Sequence, residues 1–523
     1  MANKSVFASV VGKMLPRPDT VNSEGAVAYT LSPRQKLAQL AATGCVNRTF
    51  YAEAREQVEE ILSAVQEVDP AYVARVAIYA REKGYMKDMP ALLCAVLTLE
   101  SPVLAAKVFN RVITNGRMLR TFVQIMRSGV VGRKSLGTAP KRLICNWLVE
   151  ASDDRIVSAM VGKEPSLADV IKMVHPKAKD ERRNALFAYI IGKPCDVTLL
   201  PEALQDFVAF KAKQSDKVPA VPFQMLTALE LGKREWSEIA RNARWHMLRM
   251  NLNTFKRHGV FGDAGWFAQG KMASLVAEKL RNPEAIEKAK VFPYQLLSAY
   301  LSVSEDMPAK IKDALQDALE LATKNVPAIA GQVAVAVDVS GSMQWPVTGY
   351  RSGATSKVTC VDVAALLAAT VLRKNKEAMI LPFDWDVRRV EINGRDSVMI
   401  NADRLRRIGG GGTNCSAPLK RLNEKGLAPD LVIMVSDNES WVDNVQHRAT
   451  GVLCEWLKLK KRNPKAKLVC LDIIPNTHTQ AKEREDILNI GGFSDNVFEV
   501  IAAFAEDRLS SDHWIGEIEK IEL

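Results

Sequence analysis

The 523-residue sequence predicts two architectures in one chain, an α-solenoid followed by a doubly wound, mainly parallel α/β fold. Three observations carry this. Amphipathic helix patterns succeed one another from about Ser32 to Asn325, the apolar run VAVAVDV then opens an alternation of strand and helix, and the excess positive charge ends at the same junction.

The helical part repeats one start signal. Ser32-Pro33, Asp69-Pro70 and Ser101-Pro102 each set a capping side chain before a proline, which loses no useful donor at the first helical position. After Asp69-Pro70, the residues Val73, Val76, Ala77 and Ala80 fall on one stripe and Gly84 suits the stop. Pro90 then begins ALLCAVLTL, and Ser101-Pro102 begins VLAAKVF. Short helices with alanine-rich faces and short turns suit stacked hairpins of the HEAT type. No clean sequence repeat is visible, and the alternative is an irregular helical bundle.

At Asn325 the pattern changes. VAVAVDV, AMILPF, LVIMVS and KLVCLDII read as buried parallel strands, separated by helical stretches that include VTCVDVAALLAATVLRKN and VQHRATGVLCEWLKLKKR. In such sheets ligands gather at the carboxyl ends of strands. There the sequence places oxygen donors: Asp338, Ser340 and Ser342 in D-x-S-x-S, Thr413 after four glycines, and Asp437 after LVIMVS. Carboxylates and hydroxyls with room for water suit Mg²⁺ or another hard divalent cation.

Hydrophobic residues make up 47% and charged residues 25%, which excludes a wholly disordered or collagen-like chain. The net charge is +11, and it is not spread evenly. Residues 1–325 carry 46 basic and 34 acidic side chains, net +12, whereas 326–523 carry 25 and 26. Residues 101–150 hold nine basic side chains and one acid. That imbalance points to a polyanion partner. Eight cysteines without C-x-x-C spacing read as reduced thiols, and no export signal or bilayer-spanning run is recognised, so a cytoplasmic location without membrane partner is expected. GGGGTNC lacks the G-K-[ST] ending of a phosphate loop, there is no G-x-S-x-G, and the six histidines show no H-E-x-x-H, so no catalytic set or enzymatic activity is expected.

The order D-x-S-x-S, Gly-rich loop with Thr413, then Asp437 resembles the metal-ion-dependent adhesion site of a von Willebrand factor A domain. A basic helical array before such a domain resembles the Ro ribonucleoprotein family, whose helical part is the TROVE module. LADVIKMVHPK and KAKVFPYQLLSAY are the most specific stretches, and VNSEGAVAYTLS and GGFSDNVFEVIAAF add to them. The resemblance implies a bacterial member with a TROVE-like helical RNA-binding domain at 1–325 and an A domain at 326–523. It also implies helical repeats closed into a monomeric ring with a basic cavity.

By the same resemblance, small Y RNA-like molecules bind the outer surface and single-stranded ends of misfolded or immature RNA enter the cavity. The RNA tethers an exoribonuclease such as polynucleotide phosphorylase, and the protein acts in RNA quality control, maturation or decay. Lys141 and Arg142 match a basic pair of the family, and His175 aligns with a family histidine on the Y RNA surface. The candidate patch comprises Arg111, Arg117, Arg120, Arg127, Arg133, Lys134, Lys141 and Arg142, with Lys172, Lys177, Lys179, Arg182 and Arg183 around His175. Where the family has K-x-x-x-R upstream of that histidine, this chain has SAMVGKEPS and keeps only Lys163.

Aromatic stacking on single strands is expected from Trp245 and His246 with Arg244 and Arg249, and from Lys256, Arg257 and His258, with Trp245 equally suited to the core. The competing function is a protein-interaction adaptor whose metal accepts a partner's carboxylate.

Overall fold

In the computed structural model, residues 15–262, 270–289, 291, 293–351, 356–442, 449–494, 496–510 and 512–523 are described. Thr20–Val21 (β1) and Val27–Thr30 (β2) form an antiparallel hairpin. A parallel sheet follows much later in sequence, from Val333–Asp338 (β3), Met379–Phe383 (β4), Leu431–Ser436 (β5) and Lys467–Asp472 (β6). His478–Thr479 (β7) pairs with β2, and Ile487–Gly491 (β8) is the fifth parallel strand, in the order β4-β3-β5-β6-β8.

The four strands read from the sequence are those four. The fifth, ILNIG, was not anticipated. β3 and β5 are buried along their whole length, as strands covered on both faces must be. Helix Cys360–Lys374 covers one region of the sheet, with a Thr359/Asp362 capping box and every residue from Cys360 to Leu372 buried. The predicted helix at 445–462 is observed as Gly451–Arg462, and 443–448 lie outside the described residues.

The chain divides into two compact units, and the division differs from the expected 1–325 and 326–523. One unit comprises Met1–Asp69, Val291–Ser302 and Leu319–Glu522; the other comprises Pro70–Lys290, Val303–Ala318 and Leu523. The physical reason is the early segment's own bonding. β2 adds to β7, and Pro33–Thr43 (α1) packs on β8, with Gln39 Nε2 donating to Asp472 Oδ2 at 2.7 Å. Ser32 caps α1 in a capping box, as its sequence predicts. Ala54–Gln66 (α2) packs against α1 in the same unit.

The helical unit begins with Pro70–Glu82 (α3), Asp88–Glu100 (α4) and Pro102–Val112 (α5), which pack on one another in pairs. The predicted stripe of α3 is buried, and so are Tyr72, Ala74, Ile78 and Tyr79, because α3 is covered on more than one side. The stop of α3 departs from expectation. The left-handed residue is Tyr85, whereas Gly84 is needed for close approach, since a Cβ there would stand 2.9 Å from the Ala80 carbonyl oxygen. α4 starts at Asp88, two residues before Pro90. Ser101 makes no side-chain cap for α5; its backbone N–H instead closes α4 on Leu97.

Gly116–Ser128 (α6), Thr138–Glu150 (α7), Asp153–Ala159 (α8), Leu167–Val174 (α9) and Glu181–Ile190 (α10) continue the array, and α9 packs on α6, α7 and α10. Trp147 of α7 is a core anchor, its indole N–H donating to the Ile113 carbonyl at 2.8 Å. Among the described residues no helix is long and apolar enough to cross a membrane.

Candidate metal site and basic surface

The chain moves from β3 to β4 on one side and then crosses to β5 on the other, so the sheet reverses direction between β3 and β5. Asp338 ends β3 and Asp437 follows β5, which brings the two carboxylates to that crevice. Both are fully buried, as are Ser340, Ser342 and Thr413. Asp338 Oδ1 accepts the Ser340 N–H at 2.9 Å, and Oδ2 accepts the Ser436 hydroxyl at 2.6 Å. Ser340 Oγ and Ser342 Oγ lie 3.3 Å apart, and Ser342 donates to Asp437 Oδ2 through a short bond. Thr413 is tied to the segment after Asp437 by its carbonyl, which accepts from Trp441 and Val442 N–H at 3.1 and 3.2 Å. The structure therefore brings together Asp338, Ser340, Ser342 and Asp437, with Thr413 joined through the backbone.

The glycine loop has a steric reason. Gly409 adopts φ +92°, and a Cβ there would meet the Val339 carbonyl oxygen at 2.2 Å. Gly410 N–H donates to that same carbonyl at 2.8 Å, and Gly341 N–H donates to the Gly411 carbonyl at 3.0 Å. The loop thereby lies directly on the D-x-S-x-S turn.

Burial, then the Asp338 charge and Glu439, push the Asp437 carboxyl well above the ordinary carboxylate range. Burial also raises Asp338, opposed by Ser436 and Ser340 and reinforced by Asp384. Neighbouring acids are engaged by protein groups: Arg388 pairs with Asp384 at 2.6 Å, the Ser23 N–H donates to Glu439 Oε2 at 2.8 Å, and His478 Nε2 lies 3.1 Å from Glu439 Oε1. Asp338 and Asp437 have only hydroxyl and amide partners, and the Thr413 hydroxyl has no hydrogen-bond partner among the described residues. This all-oxygen set fits a hard divalent cation. No group of three or more His, Cys, Asp or Glu suited to a metal occurs among the described residues, so hydroxyls are essential to any such site.

Three features of this site were not read from the sequence. Asp384, at the end of β4, could have been found as a further acid at a strand end. Tyr51 is half-buried and hydrogen-bonds Ser342, held by a segment in which Asn47 donates to the Thr348 carbonyl at 2.7 Å; no local signal marks it. Trp385 and Trp441, 47% and 38% exposed, meet edge to face at 5.2 Å beside Gly411 and Gly412.

In the helical unit, Lys134, Lys141, Arg142, Lys172, His175, Lys177 and Arg182 are exposed, and none has a carboxylate within ion-pair distance among the described residues. α7 and α9 are locked together by Cys145, whose thiol donates to the Val174 carbonyl at 3.4 Å. His175 caps α9 in a left-handed conformation that leaves its ring exposed.

Arg183 is a correction. It is 4% exposed, donates to the Leu148 and Ala151 carbonyls at 3.3 and 2.6 Å, and pairs with Asp153 at 3.2 Å. It joins α10 to α7 and cannot present its charge to RNA. Arg111 pairs with Glu82 at 2.9 Å.

The aromatic mixture is also largely used internally. Trp245 is buried and donates to the Leu280 carbonyl at 3.0 Å, and His258 stacks on Trp236 at 4.0 Å. His246 contacts the Ala289 carbonyl at 2.7 Å, and Lys256 pairs with Asp306.

Comparison with known proteins bears on these two sites. The Ro60 vWA domain family matches residues 332–505, the segment that holds the metal-site residues. The RNA-binding protein RO60 of Deinococcus radiodurans is 25% identical over 517 residues, covering 92% of this chain and 94% of its own. The chain is thus similar to Ro proteins over most of its length. The RNA-binding protein RO60 of Caenorhabditis elegans is 24% identical over 196 residues, 34% of this chain and 28% of its own. The crystal structure of the Deinococcus radiodurans RO (RSR) protein shares the fold with a TM-score of 0.61 at 22% identity, covering 91% of this chain and 100% of that one.

Proposed function

We propose that this chain is a non-catalytic RNA-binding protein of the Ro type, acting in the cytoplasm in RNA quality control, maturation or decay. The observation that carries the reading is the cluster of exposed, unpaired cations on α7, on α9 and from Lys177 to Arg182, supported by the similarity to two RNA-binding proteins. Lys141, Arg142, Lys172, Lys177 and Arg182 neutralise phosphates of a small structured Y RNA-like molecule, and the exposed His175 ring stacks on a base or donates to phosphate. Single-stranded ends of misfolded or immature RNA engage elsewhere in the helical repeats, and a nuclease such as polynucleotide phosphorylase is recruited through the RNA.

The test is binding of a structured Y-like RNA beside a single-stranded tail. Lys141→Glu with Arg142→Glu is expected to weaken the structured RNA by tenfold or more and the tail less. Equal weakening of both removes the surface role assigned to α7.

A second reading is favoured by the exposed Trp385 and Trp441 pair next to Asp338 and Asp437. A divalent ion such as Mg²⁺, held by Asp338, Ser340, Ser342, Thr413 and Asp437, would supply an open coordination position for a protein partner's carboxylate. The two readings are compatible. Partners released by chelation and kept after nuclease treatment support the adaptor role.

A further inference from the structure

The candidate metal site is supported by a part of the chain far from its donors in sequence. The family match spans residues 332–505, yet residues between Asn22 and Tyr51 bond both of the turns that carry the donors. On the turn after β5, Asn22 Nδ2 donates to the Ser440 carbonyl at 2.7 Å, and Ser23 donates to the Glu439 carboxylate from its N–H and its hydroxyl at 2.8 and 2.9 Å. On the turn after β3, Tyr51 hydrogen-bonds Ser342.

The segment that presents Tyr51 is built in through its backbone and its neighbours. Arg48 bridges Tyr350 in antiparallel fashion, the Tyr350 N–H donating to the Arg48 carbonyl at 2.6 Å. Gly349 permits that approach, since at φ +70° a Cβ there would stand 2.8 Å from the Arg48 carbonyl oxygen. The Thr49 N–H donates to the Ala52 carbonyl at 2.9 Å and the Ala52 N–H to the Thr49 hydroxyl at 3.2 Å, which closes a turn with Phe50 and Tyr51 at its tip. Phe50 meets Tyr51 edge to face at 4.7 Å and Trp345 at 5.6 Å. The Tyr51 ring is therefore held by contacts that do not involve its hydroxyl.

Counting protons gives the direction of the bond between Tyr51 and Ser342. A serine hydroxyl has one proton and two lone pairs. Ser342 gives its proton to Asp437, which beside a cation is ionised and can only accept. A phenol, with an ordinary pKa of about 10, keeps its proton at neutral pH, so Tyr51 is the donor. One lone pair of Ser342 then faces Tyr51, and the other is left for a cation. The further contact, Ser340 Oγ at 3.3 Å, is with a hydroxyl that can rotate away.

We propose that Tyr51 is a positioning residue of the metal site, its hydroxyl holding the Ser342 oxygen so that the remaining lone pair is presented to the divalent cation. The site is then completed by a residue outside 332–505. Groups that orient a metal ligand in this way change affinity by about 10–100-fold when removed. The inference rests on the cation reading of Asp338, Ser340, Ser342, Thr413 and Asp437 and adds a residue to it.

The experiment is calorimetric titration of the full chain with Mg²⁺. Tyr51→Phe keeps the ring and its packing; it is expected to leave the melting temperature without cation unchanged and to weaken Mg²⁺ binding about tenfold. Tyr350→Phe, an exposed side chain on the neighbouring loop, should bind as the native chain does. Ser342→Ala weakens the site but leaves Asp338, Ser340, Thr413 and Asp437. In that background Tyr51→Phe is expected to cause no further loss, because its hydroxyl acts only through Ser342. Equal affinity in the native chain and Tyr51→Phe overturns the inference and leaves the metal reading in place. A tenfold further loss in the Ser342→Ala background overturns it as well, since the effect then reaches the ion by another route. A native chain that binds no Mg²⁺ removes the metal reading, and this inference with it.

Discussion

Arg182 projects into solvent at the start of α10, while Arg183, one residue on, is buried against α7 and α8. Both belong to one charge run, and spacing along a short helix start does not say which of them turns inward. Arg183→Ala leaves the Leu148 and Ala151 carbonyls without their donor and is expected to cost about 2–4 kcal/mol by denaturant unfolding, while Arg182→Ala stays within about 0.5 kcal/mol. The candidate donors Asp338, Ser340, Ser342 and Asp437 could be named from the sequence because they follow strand ends, where the fold class itself predicts a ligand, and Thr413 because it ends a glycine loop. Tyr51 could not, because its contact with Ser342 crosses almost 300 positions of sequence. For the proposed cation, Mg²⁺ at a hundredfold excess over its dissociation constant is expected to stabilise the native chain by about 2.7 kcal/mol, with chelation reversing the effect. Asp338→Ala should abolish that response in thermal unfolding; an equal response in the variant would place the ion elsewhere.

Four strands were legible because each is a continuous β-branched or apolar run, long enough for a strand covered on both faces. β8 was missed since ILNIG carries a polar Asn489, whose side chain the tertiary structure satisfies with the Ala481 carbonyl and Glu483 at 3.0 and 2.6 Å. Glu483 is itself shaped by this packing. Burial pushes its carboxyl up to about 7, against opposing hydrogen bonds from Asn489 and Gln35. An unfolded glutamate titrates near about 4.3, so the folded chain holds a proton that the unfolded chain has released across the window between them. Stability should therefore fall as pH rises from about 4.5 to 7, by on the order of 3 kcal/mol from this residue. Glu483→Gln should remove that component of the slope, measured by denaturant midpoints across the same range. An identical slope in the variant would assign the dependence to other groups.

Across the whole molecule, the charge imbalance makes the proposed RNA binding strongly dependent on salt. Six exposed cations, Lys134, Lys141, Arg142, Lys172, Lys177 and Arg182, would together lose about a thousandfold in affinity for structured RNA between 50 and 200 mM salt. Filter binding across that range tests it, and a flat response would contradict phosphate contacts. The sequence by itself determined the two fold types, the strand order signals, the oxygen donors at strand ends and the side of residue 325 on which the positive charge lies. These are local properties, written in periodicity and in the residue that follows each strand. Only the tertiary structure decided that residues 15–69 belong with the parallel sheet, that Arg183 and Trp245 are structural, and that Arg117, Arg120, Arg155 and Arg244 share one cavity. Each of those depends on which distant backbone carbonyl or strand edge a side chain or segment meets, and pairings over tens to hundreds of residues leave no periodic trace in the chain.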